Sequence, residues 1–300
     1  MWFWLALAAL LCWSGSDFFS KVGSRPDDKY SHWKMVMAVG LVMGLHAAFE
    51  IFVNGVAISW DVIVTYLPVS LLYISSMVLG YVGLRYIELS VSSPICNSSG
   101  ALVALLCVVV LGEKIEGLQA VAVALVCVGV IALGIVEYTE DDVARMARQE
   151  KSSVKYTKSL IAILLPVMYC LIDAAGSFAD IIVLDGHLDE NSANVAYELT
   201  FLFMAVCAFV YVVLIKKDKL TLRREGPKLI GGVFETAGQF AYVFAMGSDH
   251  AAVAAPMIAS YCAVSVLWSR LFLKEKLSWK HYLAIAVTVA GIVILGVFDA

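Results

Sequence analysis

The sequence predicts an all-α polytopic membrane protein with ten transmembrane helices arranged as two inverted five-helix repeats. Three observations predict it: an apolar composition, ten apolar segments of membrane-spanning length, and one spacing of residues that occurs twice. Of the 300 residues, 61% are hydrophobic and only 15% charged, and the mean hydropathy is +0.87. A soluble domain carries roughly 25% charged residues. Apolar surface on this scale needs lipid as its solvent.

The formal net charge is -4, and no Lys/Arg-rich run marks a nucleic-acid partner. The seven cysteines, Cys12, Cys96, Cys107, Cys127, Cys170, Cys207 and Cys262, fall inside apolar stretches without C-x-x-C spacing. They read as small buried hydrophobes, and neither a metal site nor a cofactor is expected. Met1–Leu11 is apolar enough for a signal segment, but it lacks a basic region before the apolar run. It also continues past Trp13 without an A-x-A site, so it is expected to be the first helix.

About 20 mostly apolar residues cross a bilayer. The first five spans are Trp2–Val22, His32–Val53, Val62–Tyr86, Val91–Leu111 and Leu118–Val136. The next five are Ser159–Val183, Ala193–Ile215, Pro227–Met246, Ala252–Leu273 and Trp279–Phe298. Between the sets lies a charged run, Glu140 to Lys158, that suits a short amphipathic helix on the membrane surface. Of the 21 basic residues, 20 fall in the odd-numbered connections and only Lys114 in an even one. Lysine and arginine mark cytoplasmic loops, so both termini are expected outside. Short loops and compact length suit a bacterial inner membrane.

Pro94 precedes Glu113, in LGEKI, by 19 residues, and Pro256 precedes Glu275, in LKEKL, by the same 19. At the same offset of 162, Gly129 matches Gly291, Gly134 matches Gly296 and Glu137 falls opposite Asp299. A spacing kept through two helices and a loop predicts a duplication. The units are residues 1–137, a cytoplasmic linker 138–158, and residues 159–300. Five helices is an odd number, so the second unit sits upside down relative to the first. Inverted repeats meeting at the midplane are a common build for secondary transporters.

The opening LALAALLCWSGSDFFSKV, the segment YVGLRYIELSVSSPI and the two glutamate-lysine turns resemble the ten-helix EamA type of the drug/metabolite transporter superfamily. The resemblance covers nearly the whole chain. It implies a central cavity lined mainly by the first, third, fourth, sixth, eighth and ninth helices, and small solutes moved often outward. Asp17 departs from the amide or small polar residue of many members.

Ionisable groups inside a membrane are costly, about 2.5–3.5 kcal/mol on insertion scales, and so mark function by default. The reading places four acids in the spans: Asp17, Asp173, Asp180 and Glu235. Asp17 has Lys21 one turn away, so it is read either as an i,i+4 pair or as a functional acid. Glu235, Gln239 and Tyr242 share one helix face, suited to a polar ligand or cation. Burial favours a neutral carboxyl, which makes Glu235 a proton-carrier candidate; the alternative is a protonated glutamate bonded between helices. Asp173, one turn after Tyr169, is the second proton candidate, while Asp180 is expected in an outer vestibule.

After the two prolines come Asn97 and Ser98 in the fourth helix and Ser260 and Tyr261 in the ninth. A proline-broken helix near the midplane can open a binding site, although small serines more often serve close packing. Trp13, Tyr73, Tyr81 and Trp268 are candidate aromatic walls for a cation, whereas Trp60 and Trp279 read as interface anchors. Gly40 and Gly44 form G-x-x-x-G, for close approach within the chain or between protomers of a homodimer. His46 and Glu50 are expected to be wetted. Glu113 and Glu275 are read as capping the helix that follows, or pairing with Lys114 and Lys276.

No H-E-x-x-H, G-x-S-x-G or Walker-type phosphate loop occurs, which argues against an enzyme or a directly ATP-driven pump. Polarity concentrates mid-helix instead of lining a continuous pore, which argues against a channel. The acids without deep bases point to an amine, amino acid or other cationic or zwitterionic solute, with protons and membrane lipid as the other partners. The alternatives are a transporter of neutral sugars or nucleosides, or a non-transporting membrane receptor or channel.

Overall fold

The computed structural model describes residues 1–25, 27–87, 89–115, 117–139, 160–247, 250–274 and 277–299. Most of the 138–158 linker, with Glu275 and Lys276, lies outside the described residues, as do the side chains of Glu137 and Asp299. Among the described residues the secondary structure is helical, in ten segments joined by short connections.

In chain order the helices are α1 (Trp2–Gly23), α2 (Ser31–Phe52), α3 (Trp60–Gly83), α4 (Leu89–Asn97) and α5 (Ser99–Leu106), the last continued by a π turn over Cys107–Leu111. Then come α6 (Gly117–Thr139), α7 (Leu160–Leu184) and α8 (Glu190–Phe209), with a second π turn over Val210–Ile215. The series ends with α9 (Leu222–Met246), α10 (Ala251–Ala259), α11 (Tyr261–Phe272) and α12 (Trp279–Asp299). Among the described residues nine segments are long and apolar enough to cross a membrane, and the tenth counts as a shorter apolar helix over Trp279–Leu295. The fourth span expected from the sequence is therefore α4–α5, the ninth is α10–α11 and the tenth is α12.

Two spans are broken at equivalent places, Ser98 and Ser260. Each break comes four residues after a proline, Pro94 and Pro256. Ser98 N–H turns to the Ile95 carbonyl, and its hydroxyl takes the Pro94 carbonyl at 3.0 Å. Ser260 N–H is shared between Pro256 and Met257, with its hydroxyl 2.5 Å from the Met257 carbonyl. A serine hydroxyl that bonds back to the preceding turn bends a helix by competing with its own backbone.

The main helix pairings are α1 with α9, α2 with α8, α6 with α12, α3 with α7, α2 with α9, α3 with α8, and α5 with α10. Within the α2–α8 pair, a Cβ on Gly40 would stand 2.5 Å from Ala205 Cβ and 2.6 Å from the Phe201 carbonyl oxygen. The G-x-x-x-G motif thus makes an internal contact, and this approach admits only glycine.

At the odd-connection face, Lys34 lies 3.0 Å from both Asp28 and Asp218, and Lys228 lies 2.6 Å from Glu225. Asp28 stands in the first connection, outside the spans. Burial alone would raise its pKa, but the hydrogen bonds from Lys34 and from Tyr30 N–H outweigh this and hold it below the ordinary carboxylate value. A depressed folded pKa contributes stability that is present above the unfolded value, about 3.9, and lost as pH falls through the folded one. Asp28→Asn should therefore lower thermal stability near neutrality and flatten its decline on acidification. Parallel curves for the two proteins between about pH 7 and 3 would deny Asp28 this role.

Candidate functional site

A cavity of about 100 Å3 lies among α1, α3, α4, α5, α7, α8, α9, α10 and α11. Eleven of the thirteen sequence-predicted site residues line it: Trp13, Asp17, Tyr73, Tyr81, Asn97, Tyr169, Asp173, Glu235, Gln239, Tyr242 and Tyr261. Ser98 and Ser260 do not, because their hydroxyls are committed to the backbone breaks. The breaks nevertheless serve the site: Asn97 and Tyr261 flank them and both face the cavity. Each of the helices implied by the family resemblance contributes, and the seventh span adds Tyr197.

Each carboxylate is held by hydroxyls. Ser93 and Ser265 donate to Asp17 Oδ2. Ser16 donates to Glu235 Oε2 at 2.7 Å, and Ser99 to Asp173 Oδ2 at 2.8 Å. The Lys21 ammonium, which the sequence offered as a partner for Asp17, reaches the Leu84 and Ile87 carbonyls at 2.6 and 2.7 Å. Sequence reasoning missed these serines, since a lone serine on an apolar helix carries no signal of its own.

The hydrogen bonds to these carboxylates come from hydroxyls, which bring no compensating charge. None of the described residues lining the cavity is lysine, arginine or histidine. Its wall is aromatic: Trp13 packs against Tyr242 at 5.0 Å and Tyr261 at 5.9 Å between ring centroids. Ring faces beside carboxylates suit a cation. Among the described residues, the buried Tyr81 hydroxyl and Gln239 Nε2 have no hydrogen-bond partner. Buried polar atoms are normally paired, so both are free to meet a bound solute.

The structure corrects several expectations. Asp180 does not sit in a wet vestibule: it is fully buried and accepts from Tyr66 at 2.6 Å, with Tyr73 at 3.4 Å. Tyr73 in turn lies 2.6 Å from the Tyr242 hydroxyl, so Asp180 backs the cavity wall. Trp268 is not among the residues lining the cavity, and its Nε1 donates to Ser14 Oγ at 3.3 Å. Glu50 is buried, not wetted. Among the cysteines read as buried, Cys207 is exposed. Glu113 caps a helix, but it is α10 and not the helix that follows: its Oε2 accepts the Ala252 N–H at 3.0 Å.

The sequence profile of the EamA-like transporter family matches residues 1–135 and 187–297. The chain belongs to the EamA-like transporter family. It is thus an integral membrane transporter of that family, which binds a small-molecule solute and lipid. Among curated proteins none matches. Twenty-eight chains of solved structures are similar. One of them, a crystal structure of a protein, aligns with a TM-score of 0.64 at 13% identity, covering 99% of this chain and 96% of its own. That likeness supports the fold alone.

Proposed function

We propose that this EamA-like protein is a secondary active transporter of small amines, amino acids or related cationic and zwitterionic metabolites, working by alternating access. The carrying observation is a cavity lined by Asp17, Asp173 and Glu235 with no basic residue among the described residues of its walls. An ammonium group takes the place of the missing base, against Trp13 and Tyr242. The unpaired donors of Tyr81 and Gln239 receive the carboxylate end of a zwitterion. The small volume suits a metabolite; drug-sized ligands occupy roughly 300–1,000 Å3.

Glu235 and Asp173 are the proposed proton carriers, since release of a cation from a buried carboxylate leaves a charge that a proton neutralises. Alternating access rests on treating the two halves as inverted repeats. The pairings support that reading: exchanging the halves turns α1–α9 into α3–α7 and returns α2–α8 and α6–α12 to themselves. The export direction rests on the family resemblance. An outward position of both termini rests on the basic residues of the odd connections, and a bacterial inner membrane on the short loops and compact length.

The test is thermal stability of the purified protein across amines, amino acids, sugars and nucleosides. A ligand at 100 times its dissociation constant stabilises the folded state by about 2.7 kcal/mol. Shifts confined to amines or amino acids are expected. Shifts only with sugars or nucleosides would replace this reading with a neutral solute and return the acids to hydrogen bonding.

A further inference from the structure

The seam between α2 and α8 holds a second cluster of ionisable groups, and it shares no residue with the cavity. Glu198 is 0% exposed. It escaped the sequence count of intramembrane acids although it lies inside the Ala193–Ile215 span. Its two oxygens are 2.8 and 3.0 Å from His46 Nδ1, and Asn194 Nδ2 donates to Oε1 at 3.2 Å. The other ring nitrogen, Nε2, is 3.5 Å from Glu50 Oε1. Glu50 Oε2 accepts from Asn54, an exposed residue of the α2–α3 connection, at 2.9 Å. The groups form a line from an exposed loop to a carboxylate sealed from solvent. Glu198 is eight residues into α8, roughly 12 Å from that end at 1.5 Å per residue.

Asn194 supplies a second observation. It is fully buried, and its Oδ1 has no hydrogen-bond partner among the described residues. An ionised Glu198 only accepts, and takes the amide's Nδ2. A protonated Glu198 has an O–H to donate, and the amide turned by half a rotation offers Oδ1 to it. The pocket thus accommodates both states of the carboxylate.

Several ionisable and polar groups of the packed helices are engaged elsewhere. From α9, Phe240 meets the imidazole edge-on at 5.5 Å, while Glu235 and Tyr242 line the cavity and Glu225 and Lys228 pair at the far end. From α3, Tyr66 and Tyr73 turn to Asp180. On α8 itself, Tyr197 donates to Met77 Sδ and Glu190 lies against Gly247. On α2, Lys34 pairs with Asp28 and His32 meets Arg85, both at the opposite end.

We propose that Glu50, His46 and Glu198 form a proton-binding site, loaded from the even-connection face and separate from the solute cavity. A proton from water enters at Glu50 and passes to His46 Nε2, as the ring's Nδ1 proton moves to Glu198. The net change is one proton gained and one buried carboxylate neutralised, with the imidazole left in its other tautomer. Because α2 and α8 belong to opposite halves of the chain, loading the site changes the tie between them. Tyr197, adjacent to Glu198, carries that change to the cavity wall.

The test needs no solute, so its outcome is independent of the ligand panel. Infrared difference spectra between about pH 8 and 5 should show a protonating carboxyl that is lost in Glu198→Gln. Nitrogen-15 spectra of the wild-type histidines, with His46 assigned by its loss in His46→Gln, should show its proton moving from Nδ1 to Nε2 over the same range. A carboxyl difference spectrum with no component lost in Glu198→Gln, or His46 holding one charge and tautomer throughout, would overturn the proposal. The nitrogen spectra test it even if Glu198→Gln fails to fold.

Discussion

Glu235→Gln is expected to weaken amine binding at least tenfold, about 1.4 kcal/mol, and to abolish proton-driven accumulation in proteoliposomes while leaving the protein folded. The fold survives because the glutamine carbonyl still accepts the Ser16 hydroxyl that now lies 2.7 Å from Glu235 Oε2. What disappears is the charge. Hydrogen bonds to charged groups contribute about 1.5–3 kcal/mol, roughly twice a neutral one, and that difference is the expected loss. Calorimetric titration and uptake under an imposed pH gradient measure the two effects separately. Unchanged binding would move the cation away from Glu235, and unchanged accumulation would end its role as a proton carrier.

The second large effect is structural. Gly40→Leu should destabilise the protein by about 3 kcal/mol, the upper end of ordinary overpacking, because two obstacles meet the new side chain at once. One is the Ala205 methyl at 2.5 Å and the other the Phe201 carbonyl oxygen at 2.6 Å. The second is backbone, so relief requires moving α8 as a body. Gly117→Ala is the control: nothing lies within 4 Å of the place its methyl would take, and alanine favours a helix. Thermal unfolding with size-exclusion profiles reads both. Equal stability for the two variants would show that α2 and α8 separate without penalty.

Much of the site was legible because membrane burial is expensive. Asp17, Asp173 and Glu235 announce themselves as charges in apolar helices, and helical spacing then brings Gln239 and Tyr242 to the same face. The paired prolines located the two broken helices. What spacing does not carry is the identity of a neighbour from another helix. Ser93 and Ser265 meet at Asp17 from α4 and α11, and neither helix names the other in its sequence. Asp180 illustrates the same limit: its distance along α7 suggested water, but two phenols of α3 enclose it. His46 and Glu50 looked wetted near a helix end until α8 brought Glu198 beside them.

The cap that Glu113 places on Ala252 spans 139 residues of chain. During synthesis the carboxylate therefore enters the bilayer long before the amide it will serve. The N-terminus of α10 thus takes an acceptor supplied by the other half of the chain, and this bond ties the ninth span to the connection after the fourth.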